Sequence, residues 1–375
     1  MVRVYVAGDV VPNDRTLSLF YKRQTKELFG EMIPIIDRAD IKIVNLEAPV
    51  VYDKISPIKK SGPLLFCYKE TVDVLEEAGF NVITLANNHF RDQGDNGVNN
   101  TISLISTLGL NYVGGGNSYE EARKILYYTV ESSNIKVAII NACEHEFSIA
   151  SENKGGSNPL DIIDIYNDII EAKTKADYVL VIIHGGIELY QLPTPRMKKL
   201  YRFFVDVGAD VVVNHHQHCF SGYELYKEKP IFYGLGNFCF DWENRRNTLW
   251  NFGYAVSLQL DEKISFELHP YVQCNNVPVL SCIDKGNFLK EIENLNRIIS
   301  DDGLLLQSFK NYAQSKEKDF LYRISPYTSR YLRALYRRNL LKNIYPMSKL
   351  YVLQNLVNCE SHREVFLEML KYKMR

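Results

Sequence analysis

Nearly continuous apolar runs, separated by helical patterns, fill the first two thirds of the chain. IKIVNLE (41–47) and YVLVIIHGG (178–186) are two such runs, and ETVDVLEEAG (70–79) is a helical pattern closed by glycine. A strand that is apolar at every position has to be covered on both faces, which predicts helices on both sides of a sheet. A late hairpin pattern, FGYAVSLQL (252–260) followed by ISFELHPYV (264–272), adds strands that we assign to a second sheet. The sequence therefore predicts a layered α/β fold.

Beyond about residue 285 the apolar runs give way to helical patterns rich in basic residues. From 285 to 375 the chain has 17 lysines and arginines against nine acidic residues, whereas the net charge of the whole chain is −1. We therefore divide the chain into a domain over 1–284 and a basic helical region over 285–375, with one long helix predicted at 322–345. Such a region is typical of a solvated helix face, but it also suits contact with an anionic membrane, a polysaccharide or an acidic partner.

The rest of the composition gives the broad class of protein. The first residues, MVRVYVAGDVVP, read as a strand rather than a secretion signal, and no apolar run reaches the roughly 18 residues that a membrane span needs. The seven cysteines are scattered and form no CxxC pair, which indicates reduced thiols rather than a disulfide framework or a cysteine zinc site.

We therefore expect a cytoplasmic protein, peripheral to the membrane if the basic region docks there. The first 284 residues are net acidic and contain no recognised nucleic-acid-binding module, so no nucleic-acid partner is expected.

Polar side chains gather where the apolar strands end, and in an open α/β sheet this edge is where ligands bind. They are Asp9, Asn45, Glu47, Asn87, Asn88, His89, His184, His216, His218 and Asn237. Taken singly, each has a plain structural explanation: Asp9 would cap a turn or helix, and His184 would be a core histidine with satisfied hydrogen bonds. The pair His216 and His218 is more specific, because alternate residues of a strand point to one face and would bring both imidazoles to one centre.

The combined set has the chemistry of a metal site. Histidine, carboxylate and asparagine ligands together suit one or two divalent cations such as Mn, Fe or Zn. Two ions about 3.5–4 Å apart hold a phosphoryl group and activate water near neutral pH, and one carboxylate can bridge them. The sequence therefore predicts a divalent metal centre at this edge.

Seven blocks, in a fixed order, make the chain resemble a known family. The blocks are GDVVPND, NLEAPV, LANNHFRDQGDNGV, GGGNSYEEA, HGGIELYQLPTP, GADVVVNHHQHCFSGYELY and IFYGLGNFCFD. They are similar to those of the CapA family of capsule and poly-γ-glutamate synthesis proteins, over residues 1 to about 265. That family resembles the calcineurin-like metallophosphoesterases in fold, which implies a two-sheet sandwich flanked by helices (αββα), extended here by the C-terminal helices.

The resemblance implies six metal ligands at positions that match the family motif. They would be Asp9 and His218 on a first ion, Asn88, His184 and His216 on a second, and Glu47 bridging the two. The resemblance also implies that His89 is the general acid that protonates the leaving oxygen, and that Asp92 orients its ring. The side chains that would support the ligands are Asn45, Asn87, Glu188, His215 and Asn237.

Two departures from the family pattern leave alternatives open. Val11 stands where classical metallophosphoesterases have a histidine, two residues after the first aspartate. The first ion is then one ligand short, and a site for a single ion stays open as an alternative. His215 is an additional imidazole next to the histidine pair. Spacing favours His216 and His218 as ligands, with His215 as the alternative.

The residues and the resemblance together imply a metal-dependent hydrolase of phosphoesterase type, acting in biosynthesis of a capsular or related surface polysaccharide or polymer. Its substrate would be a surface-polymer precursor or another phosphoester. Two alternatives stay open: a non-catalytic accessory or scaffold protein of a polymer-synthesis complex, and an amide hydrolase acting on a poly-γ-glutamate-like polymer. The basic region favours assembly on a membrane surface or synthesis complex, whereas His89 beside Asn88 favours catalysis, because a scaffold has little need of a proton donor. The sequence is also compatible with a homo-oligomer.

Overall fold

The structure, a computed structural model, describes residues 1–52, 55–317, 319–320, 329–338, 340–341 and 347–374. The chain forms two compact units, Met1–Leu306 and Gln307–Arg375. Among the described residues, no helix combines the length and the apolar character that crossing a membrane requires.

Strands and helices alternate through most of the first unit, and helices alone follow. The strands are β1 (Val2–Val11), β2 (Ile41–Leu46), β3 (Val82–Thr84), β4 (Asn111–Val113), β5 (Gly115–Gly116), β6 (Leu126–Val130), β7 (Ile135–Cys143), β8 (Gly156–Ser157), β9 (Tyr178–His184), β10 (Val211–His215), β11 (Tyr223–Tyr226), β12 (Lys229–Phe232), β13 (Asn237–Phe240), β14 (Phe252–Leu260), β15 (Ser265–Gln273) and β16 (Leu280–Cys282). The helices are α1 (Asp14–Tyr21), α2 (Thr25–Phe29), α3 (Ile33–Ile36), α4 (Lys69–Glu77), α5 (Gly94–Thr107), α6 (Tyr119–Ala122), α7 (Ile162–Lys175), α8 (Pro195–Asp206), α9 (Lys285–Ser300), α10 (Asp302–Ser315), α11 (Arg330–Arg337), α12 (Met347–Asn358) and α13 (Glu360–Met374).

Two sheets share an apolar core. Within the described residues, the first sheet has the order β16-β15-β14-β1-β2-β3-β4, with β13 also paired to β1, and the second has the order β11-β12-β10-β9-β7-β6. Side chains alternate along β1: Val4 and Val6 enter the core that the two sheets share, whereas Tyr5 and Ala7 enter a second core. Since both faces of β1 are buried, this strand is apolar at almost every position.

Helices cover the faces that the sheets turn away from each other. Phe20 of α1 and Leu75 of α4 fill the second core against the first sheet, while α7 packs on β7 and α8 on β10 of the second sheet. The predicted α/β fold, two sheets flanked by helices with a helical C-terminal extension, is confirmed.

The late hairpin lies in a different sheet from the one that we expected. β14 runs antiparallel to β1, with Val6 opposite Val256, and so belongs to the first sheet together with β15. The second sheet instead contains the earlier hairpin of β6 and β7. A hairpin pattern specifies how its own strands pair, but not which sheet edge accepts them, and the assignment from sequence was therefore wrong in this detail.

The first compact unit extends past the boundary at 284 that the change of pattern suggested. Helix α9 belongs to this unit because its apolar face is buried: Phe288, Ile292 and Ile299 have almost no exposed surface. The ring of Phe288 lies 4.7 Å from that of Phe220, centroid to centroid.

The second unit contains helices only, within the described residues. Of the helix predicted over 322–345, the structure shows α11, whose Tyr331 and Leu332 are exposed; residues 322–328, 339 and 342–345 lie outside the described residues. A role of this region in docking stays a prediction.

Candidate metal centre

The backbone register aligns polar residues at the ends of neighbouring strands. In the first sheet, Asp9 of β1 lies opposite Asn45 of β2 and opposite Asn237 of β13. In the second sheet, His184 of β9 lies opposite His215 of β10. The two rows meet, since Asp9 Oδ1 lies 3.5 Å from His215 Nδ1 and 3.9 Å from His184 Nδ1. The fold therefore brings oxygen donors from one sheet to nitrogen donors from the other.

Asp9 is a fully buried carboxylate held by two hydrogen bonds. The amide Nδ2 of Asn45 donates to its Oδ1 at 2.7 Å, and the backbone N–H of His216 donates to its Oδ2 at 3.3 Å. Burial nevertheless raises the pKa of Asp9 to about 7, although both hydrogen bonds favour the charged form. The site therefore holds a carboxylate whose charge lacks sufficient compensation.

Glu47 is a second buried carboxylate, and its charge is compensated even less than that of Asp9. It is fully buried, and neither of its carboxylate oxygens has a hydrogen-bond partner in the part of the chain that the structure describes. Burial, and then the charge of Asp9, raise the pKa of Glu47 well above its usual range. Its Oε1 lies 3.4 Å from His184 Nε2 and 3.8 Å from His218 Nε2. A buried carboxylate without donors is costly, and a cation at this position would compensate it.

The imidazole nitrogens around Glu47 converge. His184 Nε2 lies 3.1 Å from Asn88 Oδ1 and 3.1 Å from His216 Nδ1. Burial and neighbouring histidines lower the pKa values of His184 and His218 well below the usual range. Both rings are therefore neutral at pH 7, the form in which imidazole binds metals.

Two amide side chains orient these donors. Asn237 donates through Nδ2 to the carbonyl oxygens of His218 and Trp250, so its Oδ1 is turned toward His218 Nδ1 at 2.8 Å. His218 Nδ1–H donates a hydrogen bond to that oxygen. Its Nε2 therefore keeps a lone pair that can bind a metal, as in most metal-binding histidines. Asn88 donates through Nδ2 to Glu146 Oε2 at 3.2 Å, which turns its Oδ1 toward His184.

The residues present fit a divalent cation. Two groups of buried side chains, Asp9–His184–His215 and Glu47–His216–His218, each have their candidate ligand atoms within 4.8 Å of one another. Neutral imidazoles and uncompensated carboxylates are the mixed donors that Mn, Fe and Zn accept. Glu47 touches both His184 and His218, as a bridging carboxylate would, and the assignment of ligands to ions stays a prediction.

His215 is as close to Asp9 as His218 is. The distances are 3.5 Å from His215 Nδ1 to Oδ1 and 3.6 Å from His218 Nδ1 to Oδ2. Burial lowers the pKa of His215 to about 3, so its ring is neutral too. The structure therefore places this additional imidazole beside Asp9, the predicted ligand of the first ion, for which Val11 leaves a ligand missing. The choice between His215 and His218 stays open.

His216 and His218 lie in a loop, and not on a strand as predicted. Strand β10 ends at His215, so the alternation of a strand does not apply to His216 and His218. Both lie in the loop that follows, with φ values of 86° and 54°. Left-handed backbone at non-glycine residues costs about 1–3 kcal/mol each and is typical of functional sites. The prediction that both side chains meet at one centre agrees with the distances, but its stated reason was wrong.

The stretch after β3 places a histidine and an aspartate beside the ligands. Asn87 accepts the backbone N–H of His89 through its side-chain Oδ1 at 3.1 Å and donates to the Leu46 carbonyl at 2.9 Å. His89 Nδ1 donates to Asp92 Oδ2 at 2.6 Å, which leaves Nε2 free. Burial lowers the pKa of His89, against the opposing effect of Asp92. This geometry suits the predicted dyad, whose catalytic role stays a prediction.

Lys60 is a site residue that the sequence analysis missed. Its side chain is only 2% exposed, pairs with Asp92 Oδ1, and brings Nζ to 3.2 Å from His89 Nδ1. It comes from the loop between β2 and α4, where no periodicity marks it, and most loop lysines are solvated.

Two acidic residues lie farther out than the ligands. Glu146, also missed, is on the exposed rim, with its Oε1 3.7 Å from His216 Nε2. Glu188, predicted to support the ligands, is exposed on the turn after β9, and its link to the cluster is electrostatic: its charge adds to the raised pKa of Glu47.

Comparison with known proteins identifies the family. Residues 3–242 match the family model described as "Bacterial capsule synthesis protein PGA_cap". The chain is 31% identical over 242 residues to the "Capsule biosynthesis protein CapA" of Bacillus anthracis, covering 63% of this chain and 59% of that protein. It is 33% identical over 244 residues to the "PGA biosynthesis protein CapA" of Bacillus subtilis, covering 64% of each. The chain thus spans less than two thirds of the length of these curated relatives.

Among solved structures, the putative 5′-nucleotidase of Staphylococcus aureus aligns with 78% of this chain and 58% of its own, at a TM-score of 0.44 and 15% identity. An alignment at this level has no bearing on function. The match to the family model covers most of the first compact unit and includes every predicted metal ligand. The chain therefore belongs to the PGA_cap family of bacterial capsule synthesis proteins.

Proposed function

We propose that this protein is a metal-dependent hydrolase of phosphoesterase type that acts in the synthesis of a capsular or related surface polymer. The observation that carries the proposal is the Glu47 carboxylate, buried without a hydrogen-bond donor between two neutral histidines. Family membership supports the pathway, and so do the names of the Bacillus relatives.

In this proposal the ion or ions are held by Asp9, Glu47, Asn88, His184, His216 and either His218 or His215. A bound divalent ion would polarise the scissile group and lower the pKa of water nearby. His89 would give a proton from Nε2 to the leaving oxygen, while Asp92 holds its Nδ1–H. An anionic substrate would favour the protonated ring, against the burial that lowers the pKa of His89. Asn45 would keep Asp9 oriented through its 2.7 Å hydrogen bond.

A second candidate is a non-catalytic accessory role in a polymer-synthesis complex. A relative from Mycobacterium tuberculosis, 24% identical over 233 residues, is named "Probable polyglutamine synthesis accessory protein". The basic C-terminal region, from 285 onward, would then contact the synthesis complex or the cytoplasmic membrane surface. The same metal centre would also serve an amide hydrolase acting on a poly-γ-glutamate-like polymer, because activated water attacks a carbonyl carbon as well as phosphorus.

Metal content tests the proposal directly. Protein purified without chelator or nickel resin is expected to contain near-stoichiometric Mn, Fe or Zn by mass spectrometry. The double variant His216→Ala/His218→Ala is expected to lose that metal, since it removes two imidazoles from the cluster. A matched control is His145→Ala, which removes an exposed histidine from the rim loop and should leave the metal content unchanged.

The result decides between the candidates. Metal that is present in wild type and absent from the double variant justifies a phosphoester screen with the metal found. Wild-type protein that takes up no metal, even after loading with Mn or Zn, rejects the hydrolase and favours the accessory role.

A further inference from the structure

The loop between β13 and β14, residues 241–251, contains two adjacent arginines that differ in their partners. Arg246 is paired with a carboxylate: its Nε donates to Asp241 Oδ1 at 2.9 Å, and a terminal nitrogen donates to Oδ2 at 3.0 Å. Arg15 binds the same carboxylate. The guanidinium of Arg245, in contrast, has no ion pair and no hydrogen bond within the residues that the structure describes. It lies against the ring of Trp250, with Cζ 5.8 Å from the centroid.

Trp250 connects Arg245 to the candidate metal centre. Its ring centroid lies 4.6 Å from that of His218, so the imidazole and the guanidinium pack on the same indole. The guanidinium of Arg245 is therefore separated from a predicted metal ligand by a single aromatic ring.

The loop that carries Arg245 is held on both sides. Trp250 Nε1 donates to the Phe240 carbonyl at 2.7 Å, and Asn251 Nδ2 donates to the carbonyls of Gln273 and Cys274 at 3.0 and 3.2 Å. The backbone N–H of Asn247 donates to Asn275 Oδ1 at 2.9 Å. The guanidinium is therefore presented from an ordered backbone, and less entropy is lost when it binds a ligand.

Two other cations already have acidic partners. Lys60 pairs with Asp92 beside His89, and Arg196 pairs with Glu144. An incoming anion would therefore find an uncompensated positive charge at Arg245. A planar guanidinium on an aromatic face suits the two oxygens of a phosphate or a carboxylate.

We propose that Arg245 binds an oxyanion of the substrate, a phosphate or a carboxylate, next to the group that is held at the metal centre. The inference rests on the proposed function for the location of the reaction. It adds that the substrate carries a second anionic group beside the reacting one, and that Arg245 binds this group.

The chain supplies its own reporter for a test. Its two tryptophans, Trp242 and Trp250, lie together, with ring centroids 5.8 Å apart, so intrinsic fluorescence reports on the surroundings of Arg245. Inorganic phosphate and triglutamate are titrated separately into the full chain, with and without loaded Mn, and metal content is measured for each sample. The variants are Arg245→Met, Arg245→Lys and the control Arg297→Met, which changes an exposed arginine on α9.

Wild type and Arg297→Met are expected to show the same saturable change. Arg245→Met should weaken anion binding by about tenfold or more at unchanged metal content, and Arg245→Lys should be intermediate, because lysine keeps the charge but loses the planar pair of donors. A response to phosphate alone or to triglutamate alone identifies which oxyanion the site takes.

Anion binding in Arg245→Met as tight as in wild type would overturn the inference, as would wild type that binds neither anion. Either result leaves the proposed function standing if metal is bound. Conversely, wild type that takes up no metal but binds the anion through Arg245 rejects the proposed function and supports the anion site.

Discussion

At the residue scale, the role of His89 can be separated from metal binding. Its Nδ1 is occupied by Asp92, and it belongs to neither group of candidate ligands. We expect His89→Ala to lower turnover of a proven phosphoester substrate by roughly 10²–10⁴-fold, the usual contribution of a general acid. Metal content, measured on the same preparation, should not change. Unchanged turnover would remove His89 from the mechanism.

Lys60 makes a second prediction at this scale, on stability. Lys60→Met leaves the Asp92 charge buried without its cation, and loss of one partner from a buried pair costs about 3–5 kcal/mol of unfolding free energy. Adding Asp92→Asn should recover part of that loss, because the uncompensated charge is then gone. Urea unfolding of wild type, both single variants and the double variant measures the coupling. Additive losses would show that the two side chains do not interact.

At the scale of elements, the contact between β1 and β13 pairs two residues of the candidate metal centre. A Cβ placed on Gly8 would lie 1.9 Å from the Gly236 carbonyl oxygen, so Gly8→Ala has to push the two strands apart. Asp9 and Asn237, which pair across this contact, would separate as well. We expect a loss of about 1–3 kcal/mol or more in unfolding free energy together with weaker metal binding.

Gly109→Ala is the control for this prediction. Gly109 has a left-handed backbone (φ +73°), but a Cβ there meets no neighbouring atom within 4 Å. Its substitution should cost about 1 kcal/mol and leave the metal affinity unchanged. Equal metal affinities in both variants would mean that the β1–β13 contact does not control the site.

The sequence could predict the parts of the site that lie on strand ends. Asp9, Asn45 and His184 follow apolar runs, and the carboxyl ends of parallel strands meet at one edge, so their convergence follows from the pattern. It could not predict Lys60, because the position of a loop side chain depends on the path of the loop rather than on a period. The turn that brings in His216 and His218 requires left-handed residues, which the residue types there do not signal.

At the scale of the whole molecule, we expect metal binding to be linked to the release of protons. Burial raises the pKa of Asp9 to about 7, so at pH 6 most of the metal-free protein carries a proton there. His184, His215 and His218 have lowered pKa values and are already neutral. Metal binding should therefore release carboxyl protons from Asp9 and from Glu47, whose pKa is raised as well, and affinity should rise with pH through about 7.

Calorimetric titration of Mn or Zn at pH 6, in buffers of different ionisation enthalpy, measures the number of protons released. Asp9→Asn should release fewer than wild type. Equal release by the two proteins would place the displaced protons on other groups.

Because its residues come from both sheets, the candidate metal centre can form only at a late stage of folding. Asp9 and His216, which share a hydrogen bond, are 207 positions apart in the chain; Asp9 lies in the first sheet, and His216 directly follows a strand of the second. Contacts between residues so far apart in the chain require the closure of a long loop, so the complete centre exists only once both sheets have docked. An ion bound there would stabilise contacts that form only when the two sheets meet, and it is expected to slow unfolding more than it speeds refolding. In the cell, a bound ion would therefore lengthen the lifetime of the folded protein rather than promote its folding.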